Sequence, residues 1–153
     1  MTNRERALAL PENNIGQKRY QIYKSAFGHI NKAIENSYYL EAITLIESLI
    51  TDRLESRLSH LSQEDFSFKT LGQLIKKNNQ IETDEELKQL VATKLDKWRE
   101  NRNNALHEMA KLEKDEQTTW DERMQGLADI AKNGYEILRE INKISQSLRR
   151  KGQ

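Results

Sequence analysis

The sequence contains no cysteine, and this absence excludes several kinds of chemistry at once. Disulfide bonds, thiolate metal sites and cysteine nucleophiles all require a thiol, so none of them operates in this chain. The three histidines, His29, His60 and His107, are far apart and lack the spacing of a zinc site. We therefore expect neither a metal ion nor a cofactor.

Proline and glycine are also scarce, with one proline and six glycines in 153 residues. Sandwiches, barrels and hairpin-rich folds need frequent turns, so this composition disfavours them. The length suits one domain, because either half alone would be too small to bury a core. The turn-forming residues gather near the start, which divides the chain into an N-terminal arm, residues 1–16, and a single domain, residues 17–153.

Long apolar runs and a large net charge are missing as well. No stretch approaches the roughly 18 apolar residues of a membrane-spanning helix, and Ala7–Leu10 is too short for the core of a secretion signal. We therefore expect a soluble, cytoplasmic protein that does not contact a membrane. The 25 basic and 24 acidic residues leave a net charge of +1, which excludes a broadly polycationic protein but permits a local basic site.

Apolar residues recur at intervals of three and four along most of the chain, which is the spacing of helices that bury one face. The clearest stripe runs from Leu40 to Leu61 and predicts the central helix of the core. Two capping boxes, Thr83–Glu86 and Thr119–Glu122, predict further helix starts. Helices are predicted at about residues 17–36, 38–61 and 70–77, from the first capping box to about residue 114, and at 120–149. The predicted fold is all-α, an up-and-down bundle of four principal helices plus a short helix.

Arg102 interrupts the apolar stripe of the third long helix. At about 100° per residue it falls at the centre of a stripe that also contains Val91, Leu95, Trp98 and Leu106. A guanidinium in that position needs a partner, because an unpaired buried charge is very costly. An ion pair with a glutamate of the second helix, or extension past the edge of the core, would explain Arg102 by structure alone.

The residues around Arg102 also allow a functional interpretation. Asn101, Asn103 and Asn104 are poor helix formers, so a break or kink near 101–104 is one expectation. In an unbroken helix Arg102 and His107 would lie about 140° apart around the axis. Either a kink or a second copy of the chain could bring both side chains to one pocket. An arginine suited to phosphate and a histidine that titrates near neutral pH form a reasonable pair for cleaving RNA.

The segment Arg102–His107 has the form R-N-x-x-x-H and resembles the signature of the HEPN domains (higher eukaryotes and prokaryotes nucleotide-binding). Its surroundings are also similar to that family. Tyr38–Ile50 resembles the long second helix, Phe68–Lys76 resembles the short segment that often follows it, and the motif precedes a final helix. The resemblance covers roughly residues 18–148 at the level of pattern and implies the HEPN helical bundle as the fold.

The resemblance implies a metal-independent endoribonuclease that works as a homodimer, with a composite site at the interface. The 2′-hydroxyl of the RNA would attack the adjacent phosphate and leave a 2′,3′-cyclic phosphate and a 5′-hydroxyl. Carried over by position, His107 would be the general acid or base, Arg102 would stabilise the phosphorane and Asn103 would help orient the site. Lys97 and Arg99 could line the RNA groove, although both residues are also ordinary on an exposed helix face.

The resemblance also implies a biological setting, that of a toxin or phage-defence effector whose partner is an antitoxin or another defence-system protein. In toxins paired with a nucleotidyltransferase antitoxin, a tyrosine commonly stands two residues after the histidine, and Met109 occupies that position here. Some HEPN domains have no nuclease activity. The alternative is therefore a catalytically inactive helical module for dimerisation or binding.

Two other features have competing interpretations. The stretch 139–151 holds five basic residues and one glutamate and could meet RNA phosphates, but cations also complement the C-terminal end of a helix dipole. Arg53 and His60 match a looser form of the motif with six intervening residues. We interpret these two residues as the solvated edge of the second helix, without a catalytic role.

Overall fold

A computed structural model describes residues 5–114 and 117–153, and all the regular secondary structure in this described part is helical. The helices are α1 (Ile15–Glu35), α2 (Tyr39–Ser62), α3 (Leu71–Ile81), α4 (Glu85–Leu90), α5 (Asp96–Glu108) and α6 (Trp120–Arg150). A π-helical turn, Val91–Leu95, joins α4 to α5 with helical backbone angles on both sides, so these three segments form one long helix. The described residues thus form four long helices and the short α3, and the predicted all-α bundle is confirmed.

Helix α2 is the centre of the bundle and packs against α1, α3 and α6. Its inward stripe is fully buried, as the spacing of apolar residues predicts, and comprises Ile43, Ile46, Ile50, Leu54 and Leu58. Each such side chain stabilises the fold by about 1.5–3 kcal/mol relative to an exposed position. Leu40, predicted on the same stripe, is exposed instead, because it lies in the first turn of α2 where few neighbours cover it.

Helix α1 buries a different residue from the one that its spacing predicts. Ile22 is exposed, whereas Tyr23 is buried. The Tyr23 hydroxyl donates to Asp52 Oδ2 at 2.6 Å and approaches the Leu49 carbonyl oxygen at 3.1 Å, so its polar end has partners inside the bundle. Burial, followed by the nearby Asp52 carboxylate, raises the pKa of Tyr23.

Several helix boundaries differ from the prediction for local reasons. The predicted end of α3 at residue 77 is wrong, because Asn78 is fully buried inside the helix, which continues to Ile81. The predicted capping box at Thr83 is wrong by one residue: Asp84 is the N-cap, and its carboxylate accepts the Leu87 amide at 2.9 Å. The second capping box, Thr119–Glu122, is confirmed by reciprocal hydrogen bonds of 3.2 and 3.3 Å.

The N-terminal arm contacts α2 through one arginine. Arg6 Nη1 lies 2.6 Å from Asp52 Oδ1 and 3.1 Å from Glu55 Oε2, while Leu8 and Leu10 are exposed. The arm therefore docks through Arg6 and through the Ala7 carbonyl oxygen, which accepts from Arg19 of α1 at 3.0 Å, and not through the side chains of Leu8 and Leu10. Residues 1–4 of the predicted arm lie outside the described residues, and α1 begins two residues earlier than the spacing predicts.

The interpretation of Arg53 as a solvated residue is wrong, whereas His60 is exposed as expected. Arg53 is only 7% exposed, and its guanidinium carbon lies 4.1 Å from the centre of the Tyr23 ring. Apolar spacing within α2 does not reveal this burial, because the covering ring comes from α1. Among the helices described, none combines the length and the apolar character needed to cross a membrane.

Candidate functional site

An open cleft of about 570 Å³ lies between α2, the start of α3 and α5. Its walls carry three cations, Lys69, Arg99 and Arg102, and one carboxylate, that of Glu47. Side-chain hydroxyls supply much of the remaining polar surface, from Thr44, Ser48, Thr51 and Thr70. The Thr44 and Thr51 hydroxyls donate to backbone carbonyl oxygens of α2, so the excess of cations over acids is what suits the cleft to a phosphate-bearing ligand.

Arg102 forms part of the cleft wall, and its side chain is only 12% exposed. One terminal nitrogen pairs with the Glu47 carboxylate of α2, so the ion pair that would explain Arg102 by structure alone is present. Nε and Nη2 donate to Asn103 Oδ1 at 3.2 and 2.6 Å. Burial lowers the pKa of Arg102, but a guanidinium keeps its charge in proteins.

The ring of Trp98 packs against the guanidinium of Arg102. The guanidinium carbon of Arg102 lies 5.8 Å from the centre of the Trp98 ring, within the range of a cation–π contact. The indole is buried, and its N–H donates to the Ile130 carbonyl oxygen of α6 at 2.8 Å. Gly134, one turn further along α6, leaves the space that the ring occupies.

Helix α5 runs without a break from Asp96 to Glu108, so the predicted kink near 101–104 is wrong. Asn103 is held by its contact with Arg102, and Asn101 and Asn104 are exposed, where asparagine costs a helix little. Arg123 of α6 donates to backbone carbonyl oxygens at and just after the end of α5, those of Glu108, Met109 (3.0 Å) and Lys111 (2.7 Å).

The unbroken helix decides which predicted residues come together. Arg99, Asn103 and His107 follow one another at four-residue intervals and share a face. Arg99 and Asn103 line the cleft, whereas His107 is exposed and lies outside it. The Arg102 guanidinium turns toward this face through its bonds to Asn103. Lys97 is exposed and outside the cleft lining, 3.8 Å from Glu100.

Sequence reasoning missed the residues that the start of α3 contributes. Thr70 and Gln73 form a capping box, in which the side chain of each residue accepts a hydrogen bond from the backbone amide of the other. The backbone amides of Leu71 and Gly72 are the remaining donors of the first turn. Both residues line the cleft at the positive end of the helix dipole. The start of this helix at about residue 70 was predicted, but the spacing of apolar residues could not show that it meets α2 and α5.

Comparison of the chain with protein-family models, with curated proteins and with solved structures finds no match. The resemblance to HEPN domains is thus carried by the motif and by the helix pattern. Across residues 5–114 and 117–153, no group of three or more histidine, aspartate or glutamate side chains is arranged to hold a metal ion.

Proposed function

We propose that the chain is a metal-independent endoribonuclease of the HEPN type, which works as a homodimer with a composite site at the interface. The observation that carries the proposal is the setting of Arg102, a nearly buried guanidinium in the wall of an open cationic cleft. Glu47 and Asn103 hold it in place before any ligand arrives. Preorganised charge of this kind stabilises the negative charge that develops during phosphoryl chemistry.

Arg102 retains donors for a substrate. A guanidinium carries five N–H donors. In the cleft, one from Nε and one from Nη2 go to Asn103, and one from Nη1 faces Glu47. Two N–H groups are left, enough for the paired hydrogen bonds that arginine makes with phosphate. Lys69 in the same cleft would neutralise a neighbouring phosphate of the RNA strand, and Arg99, which is paired with Asp96 at 2.9 Å, would approach another through its remaining donors.

In the proposed reaction the 2′-hydroxyl oxygen of one nucleotide attacks the adjacent phosphorus. The bond from phosphorus to the 5′-oxygen breaks, which leaves a 2′,3′-cyclic phosphate and a 5′-hydroxyl. His107 moves a proton, either from the attacking hydroxyl or to the departing 5′-oxygen. Arg102 stabilises the charge on the non-bridging oxygens, and Asn103 orients Arg102 through Oδ1.

A second copy of the chain completes the site in this proposal. Within one chain the imidazole of His107 lies outside the cleft that Arg102 lines. His107 and its neighbour Leu106 are both exposed in the single chain. Residues that become buried in a dimer interface are exposed in this way when the partner is absent. The biological role proposed with this activity is that of a cytoplasmic toxin or phage-defence effector restrained by a partner protein.

RNA cleavage in the presence of EDTA tests the proposed site. We expect His107→Ala to lower the cleavage rate by about 10²–10⁴-fold, because it removes the proton-transfer group. Arg102→Ala should lower the rate by at least about 10²-fold. His29→Ala, which removes an exposed histidine of α1, is the matched control and should cleave at the wild-type rate. Wild-type rates in both site variants would contradict the proposal, as would products that lack the cyclic phosphate.

The ion pair of Arg102 also favours a second candidate, a helical binding module without nuclease activity. Glu47, Asn103 and Trp98 all contact the Arg102 guanidinium. In this second candidate the only role of Arg102 is to join α2 to α5 through these contacts. In that case wild-type protein cleaves no RNA. Arg102→Ala would then lower the free energy of unfolding by about 1–2 kcal/mol while His107→Ala leaves it unchanged.

A further inference from the structure

A second cavity, of about 220 Å³, lies between the C-terminal half of α2 and the end of α6. Four basic residues line it, Arg53, Arg57, His60 and Arg149, and no described aspartate or glutamate does. Arg57 is already paired with Glu82 through hydrogen bonds of 2.7–3.2 Å. Arg53 and Arg149 form no ion pair with any described residue; Arg149 is exposed, and the Asp52 carboxylate offsets part of the charge of Arg53 without pairing with it.

Two buried donors in this cavity have no partner among the described residues. Arg53 is 93% buried, and its Nε makes no hydrogen bond. Ser145, on the α6 side of the cavity, has a buried hydroxyl that is also unpartnered. Buried polar groups are nearly always satisfied, so two orphaned donors on residues that line one cavity favour a ligand with acceptor atoms, which would reach them once the side chains turn toward it. Burial is the main cause that lowers the pKa of Arg53; the charge of Arg149 also lowers it, whereas Tyr23 and Asp52 act in the opposite direction.

We propose that this cavity binds the phosphate group of a nucleotide, either free or within an RNA strand. Phosphate oxygens would accept hydrogen bonds from Arg53 and Ser145, and the negative charge would neutralise Arg53 and Arg149. The proposal does not depend on the nuclease activity, because its residues occupy a different stretch of α2 from those that line the cleft of Arg102.

Calorimetric titration of the full chain at low salt tests this site with three probes: inorganic phosphate, adenosine 5′-monophosphate and a short 2′-O-methyl RNA, which cannot be cleaved through its 2′-oxygen. We expect saturable binding that weakens with added salt. Arg149→Gln should weaken it by about 10-fold or more, because a charged hydrogen bond is lost. Arg150→Gln is the matched control, since this neighbouring arginine is exposed and does not line the cavity, and it should change the affinity by less than about twofold.

Ser145→Ala provides a second variant that keeps the buried arginine and should weaken binding by about fivefold. Equal affinity for the mononucleotide and the RNA identifies a free nucleotide as the ligand. If the RNA binds more tightly than the mononucleotide and Arg149→Gln weakens that binding, the ligand is an RNA strand. Either of these two results supports the site. The proposal is overturned if none of the probes binds saturably up to about 10 mM, or if Arg149→Gln and Arg150→Gln weaken binding equally.

Discussion

At the scale of single residues, the position of Trp98 depends on Gly134. A Cβ atom added at Gly134 would lie 2.6–2.7 Å from three atoms of the indole, far inside van der Waals contact. The ring cannot easily withdraw, because it is fully buried and its N–H donates to Ile130. Trp98 in turn lies beneath Arg102, so a glycine on α6 sets the position of the arginine on α5.

Gly134→Ala should therefore lower the free energy of unfolding by about 1–3 kcal/mol through overpacking. This loss would occur although alanine is better than glycine in a helix interior by about 1 kcal/mol. Gly126→Ala is the control on the same helix, because an added Cβ there has no neighbour within 4 Å outside its own helix, and it should raise stability. Urea unfolding measures both, and a stabilised Gly134→Ala would contradict the close contact with the ring.

Arg102 and Arg53 show what a sequence reveals about single residues. Arg102 could be singled out, because the residues three and four positions away on either side are largely apolar and no other helix needs to be known. Its carboxylate partner could be predicted only as some glutamate of the second helix. The burial of Arg53 was not predictable in this way, since the ring that covers it comes from Tyr23, thirty positions earlier.

At the scale of elements, Glu82 fixes the turn between α3 and α4 onto α2. Its carboxylate accepts hydrogen bonds from the backbone amides of Thr83 and Asp84, each at 3.0 Å. Arg57 of α2 donates to the same carboxylate from Nε and Nη2. The Glu82 side chain is fully buried and that of Arg57 nearly so. Removal of one partner would leave an uncompensated buried charge.

We expect Arg57→Leu to lower the free energy of unfolding by about 3–5 kcal/mol, because Glu82 would lose its counter-charge inside the protein. Lys94→Ala breaks an exposed pair with Glu140 and serves as the comparison. Its cost should be below about 1 kcal/mol, since water screens exposed charges. Chemical denaturation of the two variants checks the contrast, and a small loss for Arg57→Leu would show that the buried pair is dispensable.

The existence of the helices was predictable from apolar spacing, but several of their ends were not. Asn78 suggests a helix end in sequence, yet it lies in the packed interior, where surrounding helices override its weak helix preference. The asparagines around Arg102 suggested a break or kink for the same reason, yet α5 continues through them as an unbroken helix, which Trp98 ties to α6. The cleft needed residues from three elements, and spacing within one helix cannot show which elements meet.

At the scale of the whole molecule, a nearly neutral chain concentrates positive charge in two places. One is the cleft of Arg102, and the other is the cavity of Arg53. The net charge of +1 hides this distribution. The acidic residues balance the basic residues over the whole chain, but fewer acidic than basic residues line the cleft and the cavity. Composition could exclude broad polycationic binding but could not locate these two sites.

Light scattering should show a dimer at tens of micromolar protein, because the proposed nuclease site takes its histidine from a second copy. Leu106→Glu places a charge beside His107 on the exposed face of α5 and should shift the protein toward monomer and abolish cleavage. Ile22→Glu makes the same change on the exposed face of α1 and should affect neither. A strictly monomeric wild-type protein would count against the composite site.

The π-helical turn at Val91–Leu95 determines where a residue could be inserted or deleted in this long helix without moving the cleft residues. A π turn accommodates one extra residue by widening the helix locally, whereas the same insertion in a regular α-helix rotates everything beyond it by about 100°. A related chain one residue shorter here would keep Leu87 and Trp98 in the core and Arg102 opposite Glu47. A length change between Trp98 and Arg102 would instead turn the arginine away from the cleft, so the chain can lose a residue in the π turn but not between Trp98 and Arg102.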